Sequence, residues 1–219
     1  MSETRNVLSI DTCGSLGSVA LARIAEGAEP EILGQTELPG KTYSAQLVPA
    51  IRDLLAQAAV SVSELTAIVV TSGPGSFTGI RIGLSTAKGL AEAHSIPLLA
   101  VSRLAVLAHR AGKPAAALDA SRHEFYLRGD GRESLLDLES FRERAAALAG
   151  NLAVCEASVH AAVPGATLVD PPTAATALRT VLPRLLSGDF DNPLTLDGNY
   201  LRRSDAEIFA KPALAANKP

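Results

Sequence analysis

The stretch LSIDTCGSLGSVALA, residues 8–22, carries the reading on which the fold turns. An apolar run ends at Asp11 and Thr12, a turn rich in small residues follows from Gly14 to Leu16, and a second apolar run begins at Gly17. Two strands folded back on each other are the expectation. After the turn residues AEGAEP (25–30), EILGQTEL (31–38) adds a third strand to the meander. The pattern then restarts: AAALDAS (115–121) followed by HEFYLRG (123–129) is again strand, aspartate turn and strand. Asp11 and Asp119, 108 positions apart, close the first strand of each copy. A duplicated unit of this kind predicts two α/β lobes, each built on a mixed sheet.

Between the copies, Leu47, Ile51, Leu54, Leu55 and Ala58 recur at helical spacing behind a candidate cap at Thr42 or Ser44, with Pro49 expected in the first turn. Ser61 and Glu64 have capping-box spacing, TAIVVT (66–71) reads as a buried strand, IPLLAV (96–101) as another, and RLAVLAHRA (103–111) as a helix. In the second half ESFRERAAALAG (139–150), LAVCEA (152–157) and AATALRTVLPRLL (174–186) supply helix, strand and helix. The boundary falls near residue 104, giving a lobe over 1–104 and a shortened copy over 105–219. That second lobe ends in a polar segment from Asn199 whose last residues are expected to be loose.

SGPGSFTGIRIGLSTAKGLA (72–91) has the glycine-rich look of a phosphate loop but lacks the glycine, four residues and Gly-Lys-Ser/Thr of one. Gly75, Gly79, Gly83, Ala87 and Ala91 instead recur every fourth residue, which leaves one helical face nearly bare. Each interior glycine costs about 0.5–1 kcal/mol against alanine, so a close approach of other backbone must offset it. That approach is either the chain's own sheet or the helix of a partner protein.

Composition narrows the function classes. The chain has 219 residues, 47% hydrophobic and 20% charged, with a formal net charge of -3. No apolar run reaches the roughly 20 residues of a membrane helix, and the start MSETRNVLSID lacks the apolar core of a signal peptide, so a cytoplasmic protein is expected. The acidic balance makes a poor stand-alone RNA binder, and Arg202 with Arg203 is ordinary surface density. Cys13 and Cys155 have no CxxC spacing and read as reduced, structural thiols, while His94, His109, His123 and His160 lack metal-pair spacing.

A duplicated unit with an aspartate after its first strand resembles the two-lobed actin, hexokinase and Hsp70 (ribonuclease H-like) superfamily. More narrowly, LSIDTCGSLGSVALA, YSAQLVPAI (43–51), the glycine helix, LDASRHEFY (118–126) and NYLRRSDAE (199–207) resemble the TsaB (YeaZ) family. The resemblance implies a non-catalytic scaffold in threonylcarbamoyladenosine synthesis on adenosine 37 of tRNA. Its implied partners are a TsaD-like catalytic paralogue, a TsaE-like ATPase, and tRNA only through the complex. It implies no cofactor of the chain's own, ATP or ADP having a place only at the interface of the complex, and self-pairing of the isolated chain is left open.

The catalytic paralogue carries a His-x-x-x-His metal pair where this chain has Arg103 and Leu107, so no metal is expected. Asp11, Thr12 and Gly14 keep part of a nucleotide-binding turn, as remnant contacts or as turn caps. The alternatives are a small-molecule kinase of the same fold or an M22-like metallopeptidase. Since the family pairs through helices of the first lobe, Tyr43, Ser44, Leu47, Ile51, Phe77, Gly79, Ile82 and Gly83 are the candidate partner surface, with the apolar ones among them open to a core reading as the alternative. The family's His-Ser-Glu at the start of the first helix is here Tyr43, Ser44 and Ala45, which removes two polar contacts and offers a tyrosine.

Overall fold

The computed structural model describes residues 4–148 and 150–202. Two five-stranded mixed sheets form, in the orders β3-β2-β1-β4-β5 and β10-β9-β6-β7-β8. The first contains β1 (Arg5–Asp11), β2 (Leu16–Ile24), β3 (Glu31–Pro39), β4 (Leu65–Thr71) and β5 (Leu98–Val101), with α1 (Tyr43–Gln57) and α2 (Phe77–His94) in the crossovers. After α3 (Arg103–Arg110), the second contains β6 (Ala115–Asp119), β7 (Glu124–Gly129), β8 (Arg132–Asp137), β9 (Leu152–Val154) and β10 (Thr167–Leu168), with α4 (Leu138–Ala147) and α5 (Ala157–Ala162). The duplication is thus complete in connectivity and shortened in size, β9 and β10 having three and two residues.

Alternation along the central strands divides the core into layers. Leu8 and Ile10 of β1 join Leu47, Ile51 and Leu54 of α1 and Ile80 and Leu84 of α2 in one cluster. Val7, with Val69 of β4 and Leu99 of β5, joins Ala177, Leu178, Val181 and Leu185 on the opposite face. Those last four belong to α6 (Ala174–Ser187). The boundary near residue 104 assigned this helix to the second lobe, but it covers the first sheet, whose strands are apolar on both faces and would otherwise expose one. Polar contacts fix its start: Ser9 Oγ donates to the Ala174 carbonyl at 2.7 Å, and the Ala174 N–H donates to Ser18 Oγ at 2.8 Å. In the second lobe α3 takes the matching place, Leu104 and Leu107 packing with Ala116 and Leu118 of β6.

Local details differ from the sequence reading. Pro49 lies in the second turn of α1, not the first. It sits on an exposed stretch of the helix, where water can satisfy the carbonyl that loses its partner. Strand β8 and helix α5 had no counterpart in the sequence reading. The expectation of a loose tail, and Arg203 with it, lies outside the described residues, whereas Asn199 to Arg202 are ordered across both lobes.

Candidate functional site

The two repeat aspartates make the same turn. Asp11 Oδ1 accepts from the Cys13 N–H at 2.9 Å, and Asp119 Oδ1 accepts from the Ser121 N–H at 2.6 Å. Each carboxylate therefore caps the backbone two residues on, the Asx turn by which aspartate ends a strand. Thr12 is fully buried and donates its hydroxyl to the Gly79 carbonyl at 2.7 Å. The Gly14 carbonyl accepts from the Tyr43 hydroxyl at 2.8 Å. Asp11, Thr12 and Gly14 each have polar atoms engaged by the chain's own groups.

Arg103, the first residue of α3, closes this turn from the far side. A β-carbon on Gly14 would lie 2.7 Å from an Arg103 Nη, so the guanidinium rests directly against the glycine. Arg103 Nε and Glu156 Oε2 are both buried without a hydrogen-bond partner. Burial raises the Asp11 carboxyl above the usual range, and Arg103 partly offsets that. Glu156 is raised for the same reason with the same offset. Burial also opposes the charge of Arg103, but the acidic groups around it, Asp11 first, outweigh that and raise it above its ordinary value. The joint between the lobes is thus a desolvated cluster in which one cation faces two carboxyls that burial drives toward their neutral form. At the other paralogue position, Leu107 is fully buried in the apolar layer and offers no ligand atom. Among the described residues no three of His, Cys, Asp and Glu converge on a point where they could hold an ion.

The glycine stripe resolves inward. A β-carbon on Gly79 would run into the Thr12 carbonyl oxygen, and one on Gly83 into the Thr12 hydroxyl. Both glycines and Ala87 are buried. The expectation that this stripe receives a partner helix is corrected: the close approach it permits is that of Thr12, in the turn that follows β1. Tyr43, Leu47 and Ile51, at 2%, 1% and 4% exposure, are likewise core residues. Of the candidate partner residues, Ser44 is exposed and Phe77 and Ile82 are half-buried. Reading the sequence missed Val48, 62% exposed on α1, because it falls between the apolar positions of the helical repeat. It also missed the exposed Arg81, whose guanidinium lies 4.0 Å from the Phe77 ring centroid. Val48 lies on α1 and Arg81 on α2, helices that contact each other, while Ile82 of α2 packs against the core beneath them.

Two lobes on mixed sheets, duplicated in connectivity and meeting at paired aspartate turns, define a member of the actin-like, ribonuclease H-like class. The family model described as TsaD, tRNA N6-adenosine threonylcarbamoyltransferase, matches residues 32–155, more than half of the chain. The tRNA threonylcarbamoyladenosine biosynthesis protein TsaB of Escherichia coli is 30% identical over 161 residues, 66% of this chain and 68% of that one. TsaB of Haemophilus influenzae is 33% identical over 135 residues, 59% of this chain and 55% of the relative. The matched region thus spans only about half to two thirds of these relatives. The solved structure of YeaZ from Pseudomonas aeruginosa superposes with a TM-score of 0.70 at 28% identity, covering 90% of this chain and all of that one. The chain belongs to the TsaB (YeaZ) family, a branch within the reach of the TsaD model.

Proposed function

We propose that the chain is a scaffold subunit of the machinery that adds threonylcarbamoyl to N6 of adenosine 37 in tRNAs reading codons that start with A. On this reading it does no chemistry itself and docks a TsaD-like catalytic paralogue through the solvent face of α1 and α2. What carries the reading is Arg103: its buried cation stands against Gly14, in the turn of Asp11, Thr12 and Gly14 that is the remnant nucleotide-binding candidate. The names of the TsaB relatives support the pathway, and the exposed Val48, Arg81 and Ser44 support the docking face. A TsaE-like ATPase joins the assembly, with ATP or ADP bound at an interface rather than by this chain alone. The net charge of -3 favours partners as the main source of affinity for tRNA. A cytoplasmic location follows from that substrate, and no helix among the described residues is long and apolar enough to cross a membrane.

Co-purification with the organism's own catalytic paralogue tests the reading. The parent chain should co-elute, and Val48→Glu and Arg81→Glu should each abolish co-elution while keeping the parent's melting temperature. Modification of tRNA by this chain and threonylcarbamoyl adenylate without the paralogue would refute the scaffold role. ATP turnover or peptide cleavage by the chain alone would favour a kinase or a metallopeptidase.

A further inference from the structure

After α6 the chain does not stay with one lobe. The Asp191 N–H donates to the Leu98 carbonyl at 2.9 Å, and its carboxylate accepts from the Ala100 N–H at 2.7 Å, covering the free edge of β5. The Leu196 carbonyl then accepts from Lys88 Nζ on α2. The Asn199 N–H donates to the Ser72 carbonyl at 2.7 Å, and the Tyr200 ring centroid lies 4.7 Å from that of Phe77. Arg202 finally reaches the second lobe, donating to the Ala120 carbonyl at 2.6 Å and pairing with Glu124 at 2.7 Å. Residues 191–202 therefore form a strap that begins on the first sheet, runs along α2 and ends on the β6–β7 turn.

The second lobe grips this strap midway. Glu133 on β8, its side chain 11% exposed, accepts from Asn199 Nδ2 at 2.6 Å through Oε2. Its Oε1 accepts from Arg128 at 2.9 Å and from the hydroxyl of Ser102, the N-cap of α3. One shielded carboxylate thus gathers three donors from three segments, and such charge-assisted bonds are the strong ones. Asn199 in turn bonds to Ser72, next to the Gly73–Pro74 bend that leads into α2, and precedes the tyrosine that packs on Phe77.

We propose that Glu133 is a positioning residue for the α2 docking face, acting through the strap. This inference rests on the docking reading above and adds that the face is set from the opposite lobe. Without the carboxylate, Asn199 loses its side-chain anchor and keeps only its N–H bond to Ser72, which loosens the backbone that holds Tyr200 against Phe77. The anchors at Asp191 and Arg202 remain, so the fold stands while the middle of the strap lifts. The first turn of α2 then loses its support.

Amide exchange and partner affinity, measured together on the full chain, test this. Glu133→Ala should speed exchange in residues 196–200 and 72–80 at least about tenfold, leave β1 and β4 unchanged, and weaken paralogue binding about tenfold. Combining Glu133→Gln with Asn199→Asp should recover both, because the introduced amide can donate to the introduced carboxylate; a purely electrostatic role for Glu133 would not be rescued. Unchanged exchange in the strap overturns the proposal, and so does faster exchange with undiminished binding. Failure of the parent chain itself to bind would sink the docking reading, and with it the role of Glu133 in docking, while the exchange data would still decide whether Glu133 clasps the strap.

Discussion

Gly79 and Thr12 meet backbone to backbone: the Thr12 hydroxyl donates to the Gly79 carbonyl at 2.7 Å, and the Thr12 carbonyl oxygen occupies the space a β-carbon on Gly79 would need. Helix propensity alone favours Gly79→Ala by about 0.5–1 kcal/mol, whereas overpacking against rigid backbone costs about 1–3 kcal/mol or more. Sterics win. Gly79→Ala and Gly83→Ala should lower the urea midpoint, while Gly89→Ala on the same helix, where nothing lies within 4 Å of the added carbon, should raise it. Equal effects at all three positions would show that α2 does not rest on Thr12 as described.

Arg103→Met keeps the bulk and removes the charge. Asp11 and Glu156, already raised by burial, then lose the attraction that holds them down, so their carboxyls climb further. A raised carboxyl contributes its stability below the unfolded value, about 4, and loses it as pH rises through the folded value. The variant should therefore be close to the parent near pH 4 and less stable by roughly 3 kcal/mol at neutral pH, the cost of stranding a buried charge. Denaturant titrations at the two pH values measure this, and a pH-independent loss would argue against the cluster.

Alkaline stability depends on a thiol and a phenol. Burial first, then Glu156, pushes the Cys155 thiol from 9.0 up to about 12. Burial first, then Asp11, moves Tyr43 from 10.0 to about 12. Both groups ionise earlier in the unfolded chain, so their contribution is complete below about 9 and is lost as pH rises toward about 12. Urea midpoints should fall steadily above pH 9, and Tyr43→Phe should flatten the upper part of that decline. Cys155 should also resist iodoacetamide at pH 8 in the folded protein; rapid labelling there would contradict a protonated, enclosed thiol.

Ser18→Ala should cost more than Ser9→Ala. The first strands the buried Ala174 N–H, which donates to Ser18, at about 1–3 kcal/mol. The second removes only a donor to a carbonyl, a loss of about 1 kcal/mol. Equilibrium unfolding of both variants gives the order directly, and a reversed order would misplace the start of α6.

The first hairpin and its repeat were legible because they rest on local signals: alternation, a small-residue turn, and an aspartate at each strand end. The glycine stripe stated that something approaches closely but not what, since sheet and partner demand the same small residues. Strand β8 hid because RESLLD is half-exposed along its length and mixes charge with leucine. The sheet covered by α6 was not written in its periodicity, which specifies an apolar face and no address. Arg103 was legible as a missing metal ligand, and its role as the occupant of the joint emerged only from its contact with Gly14. Tyr200 and Glu133 act across distances in sequence that no window spans.

Because α6 covers the first sheet, one face of Val7, Val69 and Leu99 has no partner until residues 177–185 have been made. Translation delivers the strands of the first lobe well before the helix that covers them. On the ribosome, then, the nascent first lobe must carry an open apolar surface until residues 177–185 emerge, a natural holding site for chaperones. The first lobe therefore cannot complete its core until the strands of the second have also been made.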